Sequence, residues 1–404
     1  MVKPAVTEDL RRNNLASVVR HLHMDGPLTR SELTARTALN RSTVGDLVGE
    51  LASARLVTET LPGSRSGAGR PSLVVRLDAQ RVWALAVELA PEAVYVARVA
   101  PGGQVQERLS EPRPWRRRLT PGSAVTTICG LAQELISRAP ARSQLVGAAV
   151  AVPGIVRRSD GFVHLAPNLE WHDVGLGSLL SGRMPGLAPL RVANEADLGA
   201  LAESARGAGV GSRHMIYISG NTGVGAGVVV EGALLAGRSG YAGEVGHMKV
   251  NPHGHRCRCG ARGCWESEVG AAAVLRRAGR KPSDIRSGDV RDAVAAVLSQ
   301  AQAGDPKAAG ALRGTGQWIG RGAANLVNIF NPEVLVFGGA LRGVFLAVQH
   351  TVLEELHRQA LPQAGAEVAA VGAGLGADSV LVGAAELAFS DFLANPMAVL
   401  VAGP

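Results

Sequence analysis

The chain has 404 residues, 46% of them hydrophobic, which is too long for one ordinary core and enough for two or three. Only 3% is aromatic against 51 glycines, so those cores must be built from Ala, Val and Leu around many tight turns. The net charge of +8 suits an anionic partner without naming one. With no charge-free apolar run near the roughly 18 residues of a membrane helix, and no apolar leader in residues 1–12, the chain reads as cytoplasmic.

Leu15, Val18, Val19 and Leu22 fall at i, i+3, i+4, i+7 and predict one apolar helix face, ended by Asp25-Gly26-Pro27. Thr29-Arg30-Ser31-Glu32 reads as a capping box that opens a short second helix ending near residues 37–40. A third helix follows, with Val44, Leu47, Val48 and Leu51 at the same spacing. Three short helices with a tight turn between the last two predict a helix-turn-helix. In that motif the first residues of the third helix reach base edges in the major groove. Here those are Asn40, Arg41, Ser42 and Thr43, with Gly45 and Gly49 allowing close approach to a backbone.

Residues 61–77 carry Arg65, Arg70 and Arg76 and no acid. A Pro- and Gly-rich stretch running into the strand-like residues 73–77 predicts a β-wing. Its tip, with Arg65, Gly69 and Arg70, is narrow and cationic enough for a minor groove. A three-helix module used for protein contacts is the competing reading; the agreement of wing chemistry with helix spacing favours double-stranded DNA. The later basic run, Arg113 with Arg116, Arg117 and Arg118, reads as a solvated loop.

Beyond residue 81, apolar runs at 82–87, 94–97, 146–152, 214–219 and 334–337 predict strands, with a turn at Pro91 and another at Pro153-Gly154. Helical patterns at 193–206 and 289–302 lie between them, which implies an α/β body in two lobes. The stretch Gly220-Asn221-Thr222-Gly223-Val224-Gly225-Ala226-Gly227 is either an anion cradle of free backbone N–H groups or a tight hairpin.

Three of the four cysteines, Cys257, Cys259 and Cys264, crowd into one segment downstream of His247. One imidazole and three thiolates make a closed tetrahedral site for a structural Zn2+, with His253 and His255 as rivals of His247. This clustering argues against a secreted disulfide framework. Cys129, alone on a helical stretch, reads as core.

With these motifs the chain resembles the ROK family of bacterial repressors and sugar kinases. The resemblance rests on Glu244-Val245-Gly246-His247, the cysteine cluster through Gly263-Cys264-Trp265-Glu266, and Asn194-Glu195-Ala196-Asp197, with Pro167-Asn168-Leu169 and Gly338-Gly339. It implies an actin-like (ribonuclease H-like) α/β body preceded by a winged helix-turn-helix. The implied division is residues 1–80 for the head and 81–404 for the body. Within the body, 81–193 with a C-terminal helix near 378–395 form the small lobe, and 194–377 the large lobe with the zinc. It further implies a sugar in the cleft, held by Asn168, Asn194, Glu195, Glu244, His247 and Glu266, whose amides and carboxylates can pair with vicinal hydroxyls.

Two departures bear on chemistry. Kinases of the family open with Asp-x-Gly-Gly-Thr; here the stretch is Glu88-Leu89-Ala90-Pro91-Glu92, in which Pro91 lacks an N–H and Glu92 adds negative charge. Glu195 stands where those kinases carry an Asp general base. The expectation is a non-enzymatic regulator, a repressor of carbohydrate-related genes acting as a homodimer or homotetramer on operator DNA under a sugar effector. A sugar kinase with a DNA-binding arm, and a regulator whose cleft no longer binds sugar, are the alternatives.

Overall fold

The computed structural model describes residues 4–61, 72–90, 92–112, 119–185, 189–281 and 290–401. The wing-tip residues Arg65, Gly69 and Arg70, Pro91 of the first body turn, and the run Arg113 to Arg118 lie outside them.

The head runs α1 (Pro4–Asp25), β1 (Leu28–Thr29), α2 (Arg30–Thr37), α3 (Arg41–Ser53), β2 (Val57–Thr60) and β3 (Val74–Leu77). Strand β3 is central, antiparallel to both β1 and β2. The capping box forms: Thr29 N–H donates to Glu32 at 2.7 Å, and Glu32 N–H donates to the Thr29 hydroxyl at 3.1 Å. The apolar face of α1 buries Leu15, Val18, Val19 and Leu22 against Leu33 of α2 and Val44, Leu47, Val48 and Leu51 of α3. Arg30 clamps both oxygens of Glu59 at 2.6 Å, fixing the start of α2 to β2.

The first half of the body contains β4 (Val82–Leu89), β5 (Ala93–Ala100), β6 (Gln104–Pro112) and α4 (Pro121–Ser137). Strand β7 (Gln144–Val152) follows, then a small sheet of β8 (Ile155–Arg157), β9 (Phe162–Ala166) and β10 (Trp171–Val174). Helix α5 (Leu176–Arg183) and β11 (Leu190–Asn194) complete it. Every residue of β4 is buried, as its apolar run requires of a central strand. Cys129 lies half-buried on α4.

The second half begins with α6 (Glu195–Arg206), β12 (Met215–Gly220), β13 (Val224–Val230) and β14 (Ala233–Leu234). Helices α7 (Trp265–Val269), α8 (Ala271–Arg277), α9 (Val290–Gln302) and α10 (Pro306–Phe330) lead to β15 (Val334–Gly339). Then come α11 (Ala340–Ala347), α12 (Gln349–Gln359), α13 (Pro362–Glu367), β16 (Ala369–Gly372), α14 (Ser379–Ala394) and α15 (Pro396–Val401). The helical pattern at 193–206 starts two residues late, because Asn194 closes β11 and caps α6 by accepting from Ala196 N–H at 2.7 Å.

Among the described residues the body holds two five-stranded sheets, β6-β5-β4-β7-β11 and β14-β13-β12-β15-β16. In each, three antiparallel strands are extended by two parallel ones, so one topology occurs twice. Helix α14 packs on β4 and β7 of the first sheet, and α6 on β12 and β13 of the second. The two helices then meet each other: a Cβ on Gly383 would sit 1.8 Å from the Leu198 carbonyl oxygen, so only glycine permits this backbone contact.

The head is not a bead on a linker. Its core residues form one continuous apolar cluster with Val82, Ala84, Phe389 and Phe392 of the body.

Candidate functional site

The ends of the two sheets border a cavity of about 490 Å³, within the range of small-molecule sites. Its wall includes Pro153, Gly154, Asn168, Glu170 and His172 from the first half and Glu195, Thr222, Gly223, Glu244, Arg258 and Glu266 from the second. Asn168, Asn194, Glu195, Glu244, His247 and Glu266, scattered over nearly a hundred residues of sequence, all line this one cavity.

Local folding aims each of them. Asn194 is committed at both ends of its amide: Oδ1 caps α6 and Nδ2 donates to the Gly154 carbonyl at 2.8 Å, leaving one N–H for a ligand. The Glu195 side chain, in the first turn of α6, makes no hydrogen bond among the described residues, and burial pushes its carboxyl up to about 7. Burial pushes Asp197 up to about 7 as well, against the charge of Arg158. Glu244 is raised by burial and by Glu266, and His247 opposes the shift. Near neutral pH the Glu195 carboxyl offers both a donor and an acceptor to the cavity, a chemistry suited to hydroxyl-rich ligands.

Glu266 is held by the β12–β13 hairpin, where Val224 N–H donates to its Oε2 at 3.0 Å. A Cβ on Gly223 would lie 2.5 Å from that same oxygen, so the turn must be glycine for the carboxylate to sit there. Of the two readings of residues 220–227, the tight hairpin is the one seen in the backbone pairing. Residues 224–227 are strand β13, paired to β12, and only the tight turn at 221–223 is loop.

His247, Cys257, Cys259 and Cys264 converge, their ligand atoms all within 4.8 Å of one another, and together could hold a metal ion. Cys259 and Cys264 sulfurs are 3.7 Å apart, and Cys257 Sγ is 3.8 Å from His247 Nδ1. His253 and His255 are not in the group; the His255 carbonyl instead accepts from Gly263 N–H at 2.9 Å. Cys257 Sγ also lies 3.5 Å from Glu266 Oε1, so the cluster abuts the cavity wall.

Arg258, Glu170 and His172 were not anticipated as cavity residues. Arg258 is the residue inside Cys-x-Cys, and its guanidinium crosses the cleft to Asn168 Oδ1 at 3.0 Å. Its position between two clustered cysteines was the available signal.

The first body turn differs from its expectation. Glu92 does not present a bare charge, because it is ion-paired with Arg291 of α9. Glu88, at the buried end of β4, is pushed up to about 7 by burial and by the charge of Glu195, against Arg291 and Arg108.

On the head, Asn40 and Ser42 are less free than base-reading residues should be. Asn40 Oδ1 caps α3 by accepting from Thr43 N–H at 2.8 Å and also accepts from the Ser42 hydroxyl at 2.7 Å. Arg41 is exposed with no partner among the described residues, and Thr43 is half-buried.

A doubled sheet around an interlobe cleft that carries carboxylates and amides, with a three-helix winged head, defines a two-lobed actin-like body of the sugar-kinase kind with a helix-turn-helix attached. The chain belongs to the ROK family, whose family model matches residues 114–390. It is 26% identical to the xylose repressor of Bacillus spizizenii over 385 residues, 95% of this chain and 97% of that protein. It is 30% identical to a glucokinase of Halalkalibacterium halodurans over 314 residues, 74% of this chain and 93% of that enzyme. The crystal structure of a ROK family transcriptional regulator, a homologue of the Escherichia coli MLC protein, superposes with a TM-score of 0.78 at 24% identity. It covers 98% of this chain and 100% of its own.

Proposed function

We propose that the chain is a DNA-binding transcriptional repressor of carbohydrate-related genes, controlled by a sugar bound in a cleft without kinase chemistry. The carrying observation is that a winged head shares one apolar core with a body whose cavity gathers all six sugar-type contacts. Similarity along nearly the full length of a xylose repressor supports both halves of the reading. We divide the chain into a head of residues 1–80 and a body of 81–404, with residues 81–193 and α14 as one lobe and 194–377 as the other. Arg41, Thr43 and the wing residues Arg65, Gly69 and Arg70 meet DNA, with Asn40 and Ser42 shaping the tip of α3. A homodimer places two heads on half-sites about one helical turn apart.

A zinc ion fits the donor set. With Zn–S near 2.3 Å, two sulfurs of a tetrahedron lie about 3.8 Å apart, close to the 3.7 Å between Cys259 and Cys264. Lys249 Nζ, donating to Cys264 Sγ at 3.3 Å, suits a thiolate. His247, Cys257, Cys259 and Cys264 would hold the zinc ion, and it would supply a structural cross-link for the loop that carries Arg258 beside Glu266.

One observation favours a kinase: Glu195 is poised near neutral pH, as a general base should be. Against it stands the first turn, where Pro91 cannot donate an N–H and Glu92 is occupied by Arg291. The test is a sugar panel. Duplexes selected by the protein from a random pool serve as operator, and aldopentoses and aldohexoses are titrated against binding by fluorescence anisotropy. A sugar that changes operator affinity supports the reading; tight DNA binding that ignores every sugar overturns the gating.

A further inference from the structure

Helix α6 begins at the cavity with Glu195 and ends, about 18 Å away at 1.5 Å per residue, at Arg206. There Arg206 Nε donates to Glu386 Oε1 of α14 at 2.6 Å, and Nη1 donates to the His23 carbonyl of α1 at 3.0 Å. His23 Nδ1 accepts the Gly102 N–H at 3.2 Å, which leaves the ring proton on Nε2, 2.8 Å from Glu386 Oε2. The head and α6 therefore converge on the Glu386 carboxylate of α14, and the β5–β6 turn joins them through His23.

This junction is buried: the side chains of His23, Glu386 and Arg206 are 0%, 6% and 11% exposed. The last turn of α6 is anchored a second time. Glu203 accepts from Gly374 N–H at 2.8 Å, Leu375 N–H at 3.0 Å and the Ser379 hydroxyl at 2.7 Å, at the start of α14. A displacement of α6 must therefore carry α14 and α1 with it. The arrangement is also incompletely satisfied, since Arg206 Nη2 is buried without a hydrogen-bond partner among the described residues. An orphaned donor of this kind narrows the energy gap to a second arrangement.

We propose that the His23–Glu386–Arg206 junction is the joint through which α6 carries occupancy of the cleft to the DNA-binding head, with Arg206 as its positioning residue. A ligand hydroxyl drawn to Glu195 acts on the first turn of α6, and the helix delivers that motion to His23 and α1. The proposal rests on the sugar-gated reading above.

Arg206→Lys keeps the charge but loses the fork that serves Glu386 and the His23 carbonyl together, and Glu386→Gln keeps the shape. In the full-length chain, three quantities are measured: sugar affinity without DNA, operator affinity without sugar, and the factor by which sugar changes operator affinity. The probe is whichever aldopentose or aldohexose most stabilises the unmodified chain. Both binding affinities should stay within about threefold while the coupling factor falls by about tenfold or more. Coupling equal to that of the unmodified chain in a folded Arg206→Lys protein overturns the joint. If the unmodified chain binds sugar and DNA without coupling, the gating reading fails instead. In that case the joint, having no coupling to carry, is overturned with it. Should Glu386→Gln fail to fold, Gly103→Ala replaces it, since its Cβ would press to 2.5 Å from Arg206 Cδ and displace the fork without removing a charge.

Discussion

The first two strands of each five-stranded sheet are joined by a turn at the same place in the topology, and the two turns have taken opposite forms. Between β4 and β5 the chain runs Glu88-Leu89-Ala90-Pro91-Glu92, with one carboxyl buried at the strand end and the other tied to Arg291 of α9. Between β12 and β13 it runs Asn221-Thr222-Gly223, compact enough for Val224 N–H to reach Glu266. In the proposed reading the first turn, rich in acid and carrying a proline that has no N–H, does not serve an anion, whereas the turn closed by Gly223 positions a carboxylate. If the proposed reading holds, a doubled fold can give up chemistry at one copy of an element and keep ligand recognition at the other.

The contrast can be broken most severely from the retained side. Cys264→Ser removes a buried ligand of the metal-capable group beside Glu266. Elemental analysis should show bound zinc falling below one equivalent, and thermal unfolding should lose many degrees. Full zinc occupancy with unchanged unfolding would remove the metal from the account. Next in size, Gly223→Val places side-chain atoms where Glu266 sits. Calorimetry should show sugar affinity falling by about a hundredfold, with operator affinity in the absence of sugar unaltered. The matching change in the other turn, Ala90→Gly, should leave sugar affinity within twofold.

On the head, Arg41→Ala should weaken operator binding about tenfold and lower its salt dependence, with no change in unfolding. Asn40→Ala should cost about 1 kcal/mol of stability through loss of the α3 cap, and it reduces DNA binding only as far as that helix frays. Equal stability losses in both variants would show that Arg41 is structural.

The smallest effect concerns two acids, Glu88 at the end of β4 and Glu195 at the start of α6. Glu88 and Glu195 both stand at about 7 in the fold against 4.5 in an unfolded chain. The folded state therefore holds protons that the unfolded state releases. Its stability from these groups is full below about pH 4.5 and is lost as pH rises toward 7. Glu88→Gln should raise the melting temperature at pH 8 by a few degrees relative to the unmodified chain and leave it nearly unchanged at pH 4.5. A gain of equal size at both pH values would show that Glu88 is not protonated in the fold.

Much of this was readable in the residues. The capping box of Thr29 and Glu32 and the apolar faces of α1 and α3 depend on spacings of three and four, which any helix must obey. The cavity residues and the metal-capable group lie in short motifs whose residue types declare their chemistry. Other features had no local signature. His23 and Glu386 are 363 positions apart, and no periodicity links them. The doubling of the sheet is a matter of strand order, which hydrophobic runs do not encode. Asn40 and Ser42 suited base contacts by type and position; that they bond each other became visible only when the cap geometry was built. Arg291, which answers Glu92, belongs to a helix recognised for its pattern and not for its charge.

In the proposed reading the cleft recognises a sugar in order to move the head, and does not react with it. The most direct measurement is one mixture of protein, selected operator DNA, ATP, magnesium and the stabilising sugar, with DNA anisotropy and sugar phosphate followed together. The account predicts that anisotropy changes with sugar concentration while all of the sugar is recovered unphosphorylated. Steady formation of sugar phosphate that Glu195→Gln abolishes, or anisotropy indifferent to the sugar, would contradict it.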